Sequence, residues 1–224
     1  DIEIDVNRGK RSLYQAIYQL GRHFTWSPFK VRRAAMAAWQ AHLDYLELMS
    51  SRRLMPPQAI ERISGAAEVG TEVDSSQMTS ATIALIGHPY LLYDELINHR
   101  LIHRLEQANN KVLTPEMLTM EELQSATGRL VGRAYWTYED EVVGAGEHYL
   151  KSGVNGVIGI MAFGCGPDSL MMDMVQRQAT RLRTIPFMSL TVEEHTAEAG
   201  IITRLEAFLD MIYRRKRRQV EVCV

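Results

Sequence analysis

Along the first third of the chain, apolar residues recur every three to four positions, the spacing of one helical face. From Lys10 to about Phe24 they are Leu13, Ile17, Leu20 and Phe24. Ser27 and Pro28 then suit a helix start, and a longer helix is expected to about Arg53, with Met36, Trp39, Leu43 and Leu46 as its stripe. Pro56-Pro57 stops it, a short helix follows from about Gln58 to Glu68, and the polar stretch from Thr71 to Ser80 reads as a linker. Residues 1–8, in which Ile2, Ile4 and Val6 alternate with acids, fit a frayed arm or an edge strand. Trp26 and Trp39 are expected in a core and the neighbouring arginines on its solvated face. This region carries no nameable chemistry.

After Ser80 the period changes. Ala81–Gly87 is an apolar run ending at His88-Pro89-Tyr90, and a helix with Ile97, Leu101 and Leu105 inward should follow. Lys111–Thr114 fits a short strand, and Pro115 should begin a helix containing Met120–Leu123. Arg129–Trp136 fits neither period, whereas Tyr138–Lys151 reads as a helix ending at Gly153. A strand over Val157–Ala162, its helix, a strand near Ile185–Val192 and an amphipathic helix with Ile201, Ile202, Leu205, Phe208, Leu209 and Ile212 complete the order. Alternating strands and helices predict an α/β fold: a Rossmann-like, mostly parallel sheet with helices on both faces. The expected division is a helical region over 1–78 and the α/β domain over 79–220.

The chemistry concentrates at strand ends, where ligands bind in such sheets. The turn Phe163-Gly164-Cys165-Gly166-Pro167-Asp168-Ser169 holds the interior cysteine between two glycines, which permit unusual dihedrals and close approach. Pro167 suits a first helical turn, and Asp168 and Ser169 offer acceptors to its free amides. A thiol at a helix N-terminus is more readily a thiolate, the form that attacks or binds metal; a small residue needed between glycines explains the same pattern. His88 and Tyr90 end the first strand, and Glu193, Glu194, His195 and Thr196 follow the last. Together these groups suit a metal or redox site better than a nucleotide cradle, since no G-x-G-x-x-G or P-loop is present. Each also has a structural explanation: His195 and Thr196 as caps of the last helix, His88 as a turn residue. Glu147-His148 lacks a partner at metal-ligand spacing.

Composition narrows the classes. The 224 residues are 46% apolar and 23% charged, with a net charge of -2 and a pI near 6.4, so bulk charge recruits neither nucleic acid nor an anionic membrane. Arg214–Arg218 is a run of five basic residues at a helix end, where cations complement the dipole. The twelve methionines suit an irregular core or an interface. Two cysteines, one of them penultimate, make no disulfide framework, and a reducing cytoplasm is the expectation. The first residue is Asp, which suggests a piece of a longer polypeptide or a processed product.

Several motifs resemble one family. Phe163–Ser169, followed by Glu193-Glu194-His195 and by Gly200 with Thr203-Arg204, is similar to the C-terminal part of the activase-related proteins of the 2-hydroxyacyl-CoA dehydratase group. Gly87-His88-Pro89-Tyr90 with Ile97-Asn98, and Tyr135-Trp136-Thr137-Tyr138, resemble further motifs of that family. The likeness runs over roughly residues 80–212. It departs at His88, where the family usually has Arg, and at Glu193, where it often has Asp.

The resemblance implies Rossmann-like domains holding a [4Fe–4S] cluster through cysteines at strand ends, in ATP-driven low-potential electron transfer with an activase partner. Only Cys165 matches a cluster-ligand position. The family's other cysteines lie upstream, and residues 1–80 supply none. A cluster takes about four thiolates, so the expectation is a redox module that does not hold a cluster alone and relies on an ATP-dependent activase or a missing cysteine-bearing domain. Cys165 is then the metal ligand, with His88, Tyr90, Asp168, Ser169, Glu194 and His195 as surrounding or substrate-edge residues. A homo-oligomer is compatible with this. The competing class is a non-enzymatic interaction or scaffold domain that keeps the fold without a cluster.

Overall fold

The structure, a computed structural model, describes residues 10–65, 80–136 and 138–222. The expected arm over 1–8 lies outside the described residues, as does the linker apart from Ser80. Contacts divide the chain into two units, one ending at Leu48 and one beginning at Met49.

The first unit contains α1 (Lys10–Gly21) and most of α2 (Pro28–Arg52). The two meet where the bare Cα of Gly21 faces Val31: a Cβ there would lie 2.5 Å from the valine side chain. Ala16 and Val31 are buried. The expectation of a core around the tryptophans is overturned, because Trp26 is 75% exposed, with Arg22 over its ring, and Trp39 is 63% exposed. A helix buries only the face that another element covers, and α1 covers the face of Val31 rather than that of Met36 and Trp39.

In the second unit, α3 (Pro56–Ile63) starts at the proline pair, with Met55 as N-cap and the Gln58 side chain accepting from the Met55 amide at 3.0 Å. The proline pair therefore ends one helix and opens the next, since proline fits the first turn, where amides lack partners anyway. Four strands follow: β1 (Ala81–Ile86), β2 (Asn110–Leu113), β3 (Gly156–Ala162) and β4 (Phe187–Val192). They form one all-parallel sheet in the order β2-β1-β3-β4. Every residue of β1 except Thr82 is buried, as continuous apolar runs in doubly covered parallel strands require.

Between them run α4 (Pro89–Tyr93), α5 (Leu101–Gln107), a 3₁₀ turn (Pro115–Met117), α6 (Met120–Leu130), a π-helical turn (Asp140–Gly144), α7 (Ala145–Lys151) and α8 (Gly166–Leu182), and α9 (Glu198–Val222) follows β4. Glycines in β3 set the two layers. A Cβ at Gly159 would lie 2.1 Å from Met172 Sδ of α8, and one at Gly156 would lie 2.5 Å from Ile212 Cδ1 of α9. Three positions apart in a strand, the two residues face opposite sides of the sheet. Buried Ile201, Leu205, Phe208, Leu209 and Ile212 form the inward stripe of α9.

Three local expectations change. The helix expected through Ile97 is two short ones, because His99 and Arg100 adopt left-handed backbone (φ 53° and 60°) and Ile97 sits in the intervening turn. The helix expected from Pro115 begins instead at Met120, capped by Thr119, whose hydroxyl accepts from the Glu122 amide while Glu122 accepts from the Thr119 amide. The helix over Tyr138–Lys151 opens with the π turn, in which the Ala145 amide bonds back to the Asp140 carbonyl.

Candidate functional site

All four strands point the same way, so the residues that follow β1, β3 and β4 emerge at one edge. His88 and Tyr90 follow β1, Cys165 and Asp168 follow β3, and Glu194 and His195 follow β4.

Two of these form the centre. His88 is the N-cap residue of α4, and its Nε2 lies 2.8 Å from Oδ1 of Asp168 in the first turn of α8. Asp168 is only 3% exposed, and its other oxygen, Oδ2, accepts from the Ala162 amide at 3.3 Å. Apart from their mutual contact, neither His88 Nε2 nor Asp168 Oδ1 has a hydrogen-bond partner among the described residues. A buried carboxylate at a helix N-terminus thus fixes an imidazole that is itself partly open, and Nε2 is committed to it.

Gly87 fixes where His88 starts. A Cβ there would stand 2.6 Å from the Ile160 carbonyl oxygen and 2.7 Å from Ile160 Cγ2, so β1 leaves the sheet in direct backbone contact with β3. Two aromatic rings flank the imidazole: Tyr138 with its centroid at 5.2 Å and Tyr90 at 5.9 Å, both tilted. The Tyr90 hydroxyl titrates above its ordinary value, first through desolvation and then through the charges of Asp168 and Cys165. The tyrosine therefore lies in the field of both groups.

Cys165 is the N-cap residue of α8, half-buried, in a turn that Gly164 closes with left-handed backbone (φ 78°). Asp168 and Ser169 do not cap the helix as expected. Asp168 turns back to β3, and the Ser169 hydroxyl donates to the Cys165 carbonyl at 2.8 Å. A serine one turn into a helix reaches the carbonyl four residues back more easily than an amide ahead of it. A Cβ at Gly166 would meet no atom within 4 Å, so no packed neighbour explains the glycine there.

Glu194 and His195 share the edge but not the cluster. His195 is 80% exposed and contacts the Glu194 carboxylate at 3.4 Å, while Thr196 Oγ1 accepts from the Glu193 amide at 2.7 Å.

Sequence reasoning missed Glu141, Glu116 and Glu139, and it noted Asn98 and Glu147 without the contacts they make. Glu141, in the π turn, titrates above the usual carboxylate range, chiefly through burial and further through Asp140 and Glu116, with His88 opposing. Glu116 accepts from the Tyr93 hydroxyl at 2.7 Å. Glu139 is buried and accepts from the amides of Tyr135 and Trp136, which fixes the turn leading to Tyr138. Asn98 is buried and donates to the carbonyls of Leu91 and Leu92 while accepting from the Leu101 amide. It thereby ties α4 to α5. Buried Glu147 pairs with Lys151 and bonds to Gln178 at 2.8 Å, a network inside the helical layer.

Among the described residues, no three His, Cys, Asp or Glu side chains converge as a metal site. The chain has two cysteines, so the four thiolates of a [4Fe–4S] cluster do not fit it alone. A cavity of about 440 Å³ opens at the opposite edge, between Val154, Asn155, Pro186 and Ile212. Lys216, which also lines it, donates to the Ser80 carbonyl, and Arg215 donates to the Thr184 carbonyl.

Comparison with known proteins places this edge in a family context. No curated protein and no solved structure matches the chain. A family model described as "CoA enzyme activase uncharacterised domain (DUF2229)" matches residues 2–118, just over half of the 224 residues. The match takes in the helical first third and β1 with His88 and Tyr90, while Cys165 and Asp168 lie beyond it. By that match, the chain belongs to the CoA enzyme activase uncharacterised domain family.

Proposed function

We propose that the chain is a cytoplasmic component of an ATP-driven, activase-type iron–sulfur reductase, acting with an activase partner and contributing the carboxyl edge of its sheet. In this reading Cys165 supplies one thiolate to a [4Fe–4S] cluster whose other ligands come from outside the 224 residues. One observation carries it: the interior cysteine stands half-buried at a helix N-terminus on the ligand edge of the sheet that also carries Tyr90 and the His88–Asp168 pair. Family membership supports the association with activases. The dyad orients the imidazole, and the two tyrosines present an aromatic rim to whatever docks there.

The test is anaerobic treatment with ferrous iron and sulfide. The chain alone should stay nearly colourless. Co-expressed with an ATP-dependent activase and with the sequence adjoining it in its gene, it should give the broad visible absorption of an iron–sulfur centre, and Cys165→Ser should lower the bound iron. Equal iron with and without Cys165 overturns the reading. That outcome would favour the interaction-domain alternative, for which the small cysteine count already speaks.

A further inference from the structure

The cavity of about 440 Å³ at the amino edge of the sheet, opposite Cys165, combines two kinds of lining. Its apolar walls come from every element that meets there: Leu150 from α7, Val154 from the loop before β3, Leu182 from α8, Pro186 from the loop before β4 and Ile212 from α9. Leu150, Val154 and Ile212 belong to the hydrophobic core, so the cavity is a hollow in the core itself rather than a gap between surface side chains.

The charged lining has one sign. Among the described residues around the cavity are Lys151, Arg215 and Lys216, and no aspartate or glutamate. Lys151 is paired with buried Glu147. Arg215 and Lys216 make no ion pair among the described residues and donate to neutral carbonyls instead, Arg215 Nη2 to Thr184 at 2.7 Å and Lys216 Nζ to Ser80 at 2.7 Å. Such bonds hold both side chains in place without cancelling their charge, and they leave further donors on each cation unused. Capping the carbonyls beyond α8 accounts for one bond from Arg215, but it requires neither an apolar hollow beside the cation nor a second cation next to it.

Ligand sites join mostly apolar walls to a few fixed polar groups within about 300–1,000 Å³. Guanidinium and ammonium donors form charge-assisted hydrogen bonds with carboxylates and phosphates. We infer that this cavity binds a small organic anion, an apolar body carrying one carboxylate or phosphate head: Arg215 and Lys216 hold the head, and the body lies against Val154, Pro186 and Ile212.

Isothermal titration calorimetry of the full chain with octanoate and with octyl phosphate tests it, with acetate as the head alone and 1-octanol as the body alone. At least one of the two anions should saturate a single site per chain, and acetate and octanol should bind about tenfold more weakly or worse. Arg215→Gln and Lys216→Gln should each weaken the anion about tenfold, the lower bound for a hydrogen bond to a charged group. A purely structural role for these side chains would lower the melting temperature of the variants without changing the ratio of anion to octanol affinity. In amide NMR spectra the shifts caused by the anion should concentrate at residues 153–155, 184–185 and 212–216. The stronger of the two anions names the head group. No saturable binding by either anion, acetate or octanol binding as tightly as the anion, affinity indifferent to both glutamine variants, or shifts confined to the Cys165 edge overturns the inference.

Discussion

The contact between His88 and Asp168 can be measured by a double-mutant cycle with Asp168→Ala, His88→Ala and both together. One oxygen of Asp168 accepts from the Ala162 amide at 3.3 Å, and the other lies 2.8 Å from the imidazole Nε2 in an ion-pair contact. Each buried donor left without a partner costs about 1–3 kcal/mol. The lost carboxylate at the start of α8 adds about 0.3–1 kcal/mol. Because the imidazole is partly exposed, its share falls toward the lower bound, and Asp168→Ala should cost about 2–4 kcal/mol in all. The coupling is that of a partly buried imidazole–carboxylate pair, between the about 0.2–1 kcal/mol of exposed pairs and the larger cost of breaking a buried one, and about 1–2 kcal/mol is expected here. Urea unfolding provides the assay. With Trp26 and Trp39 replaced by phenylalanine, Trp136 is the remaining tryptophan and reports on the unit that begins at Met49. A coupling below about 0.5 kcal/mol, the ordinary scatter of additive sites, would show that the two groups are neighbours without being partners.

Gly87→Ala should destabilise the sheet unit more than Gly159→Ala. The first methyl meets a backbone carbonyl that cannot yield, whereas the second meets the mobile end of Met172 and should cost about 1–3 kcal/mol; thermal melts rank them, and the reverse order would refute the packing argument. Asn98→Ala strands two carbonyls and one amide and should cost about 2–4 kcal/mol in the same assay. Burial raises the folded-state pKa of Glu141, so the folded chain holds its proton longer than the unfolded one. Glu141 therefore contributes stability at pH below its ordinary value, and that contribution is lost as pH rises through the raised value. Glu141→Gln should accordingly be more stable than the parent at neutral pH, with the advantage shrinking in acid; a constant difference across pH would exclude the titration.

Much of the fold was legible because burial imposes simple patterns. Strands covered on both faces must be apolar throughout, and β1 and β3 read that way; α9 needed one inward stripe and showed it. The grouping of His88, Cys165 and His195 at one edge also followed, since alternating strands and helices leave every strand parallel. What stayed hidden depends on contacts that no period records. His88 and Asp168 are eighty residues apart, and only the register of β1 against β3 makes them meet. The break at His99 and Arg100 uses left-handed backbone without glycine, and neither residue type announces it. Trp39 follows a perfect helical stripe, but periodicity tells which residues share a face, not whether anything covers that face.

The π turn at Asp140–Gly144 makes the site sensitive to the loss of a single residue. A wide turn of this kind amounts to one residue added to an α-helix, and each such residue rotates the chain before it by about 100°. Removing one residue from this turn would return it to regular α geometry, with α7 and the sheet behind it unchanged. The segment before the turn would swing away, and with it Tyr138, whose ring now stands 5.2 Å from the imidazole of His88. A single codon therefore separates a chain with an aromatic wall at His88 from one without it. Relatives that lack that codon would share the fold and core of this protein and yet present a different edge to their partners.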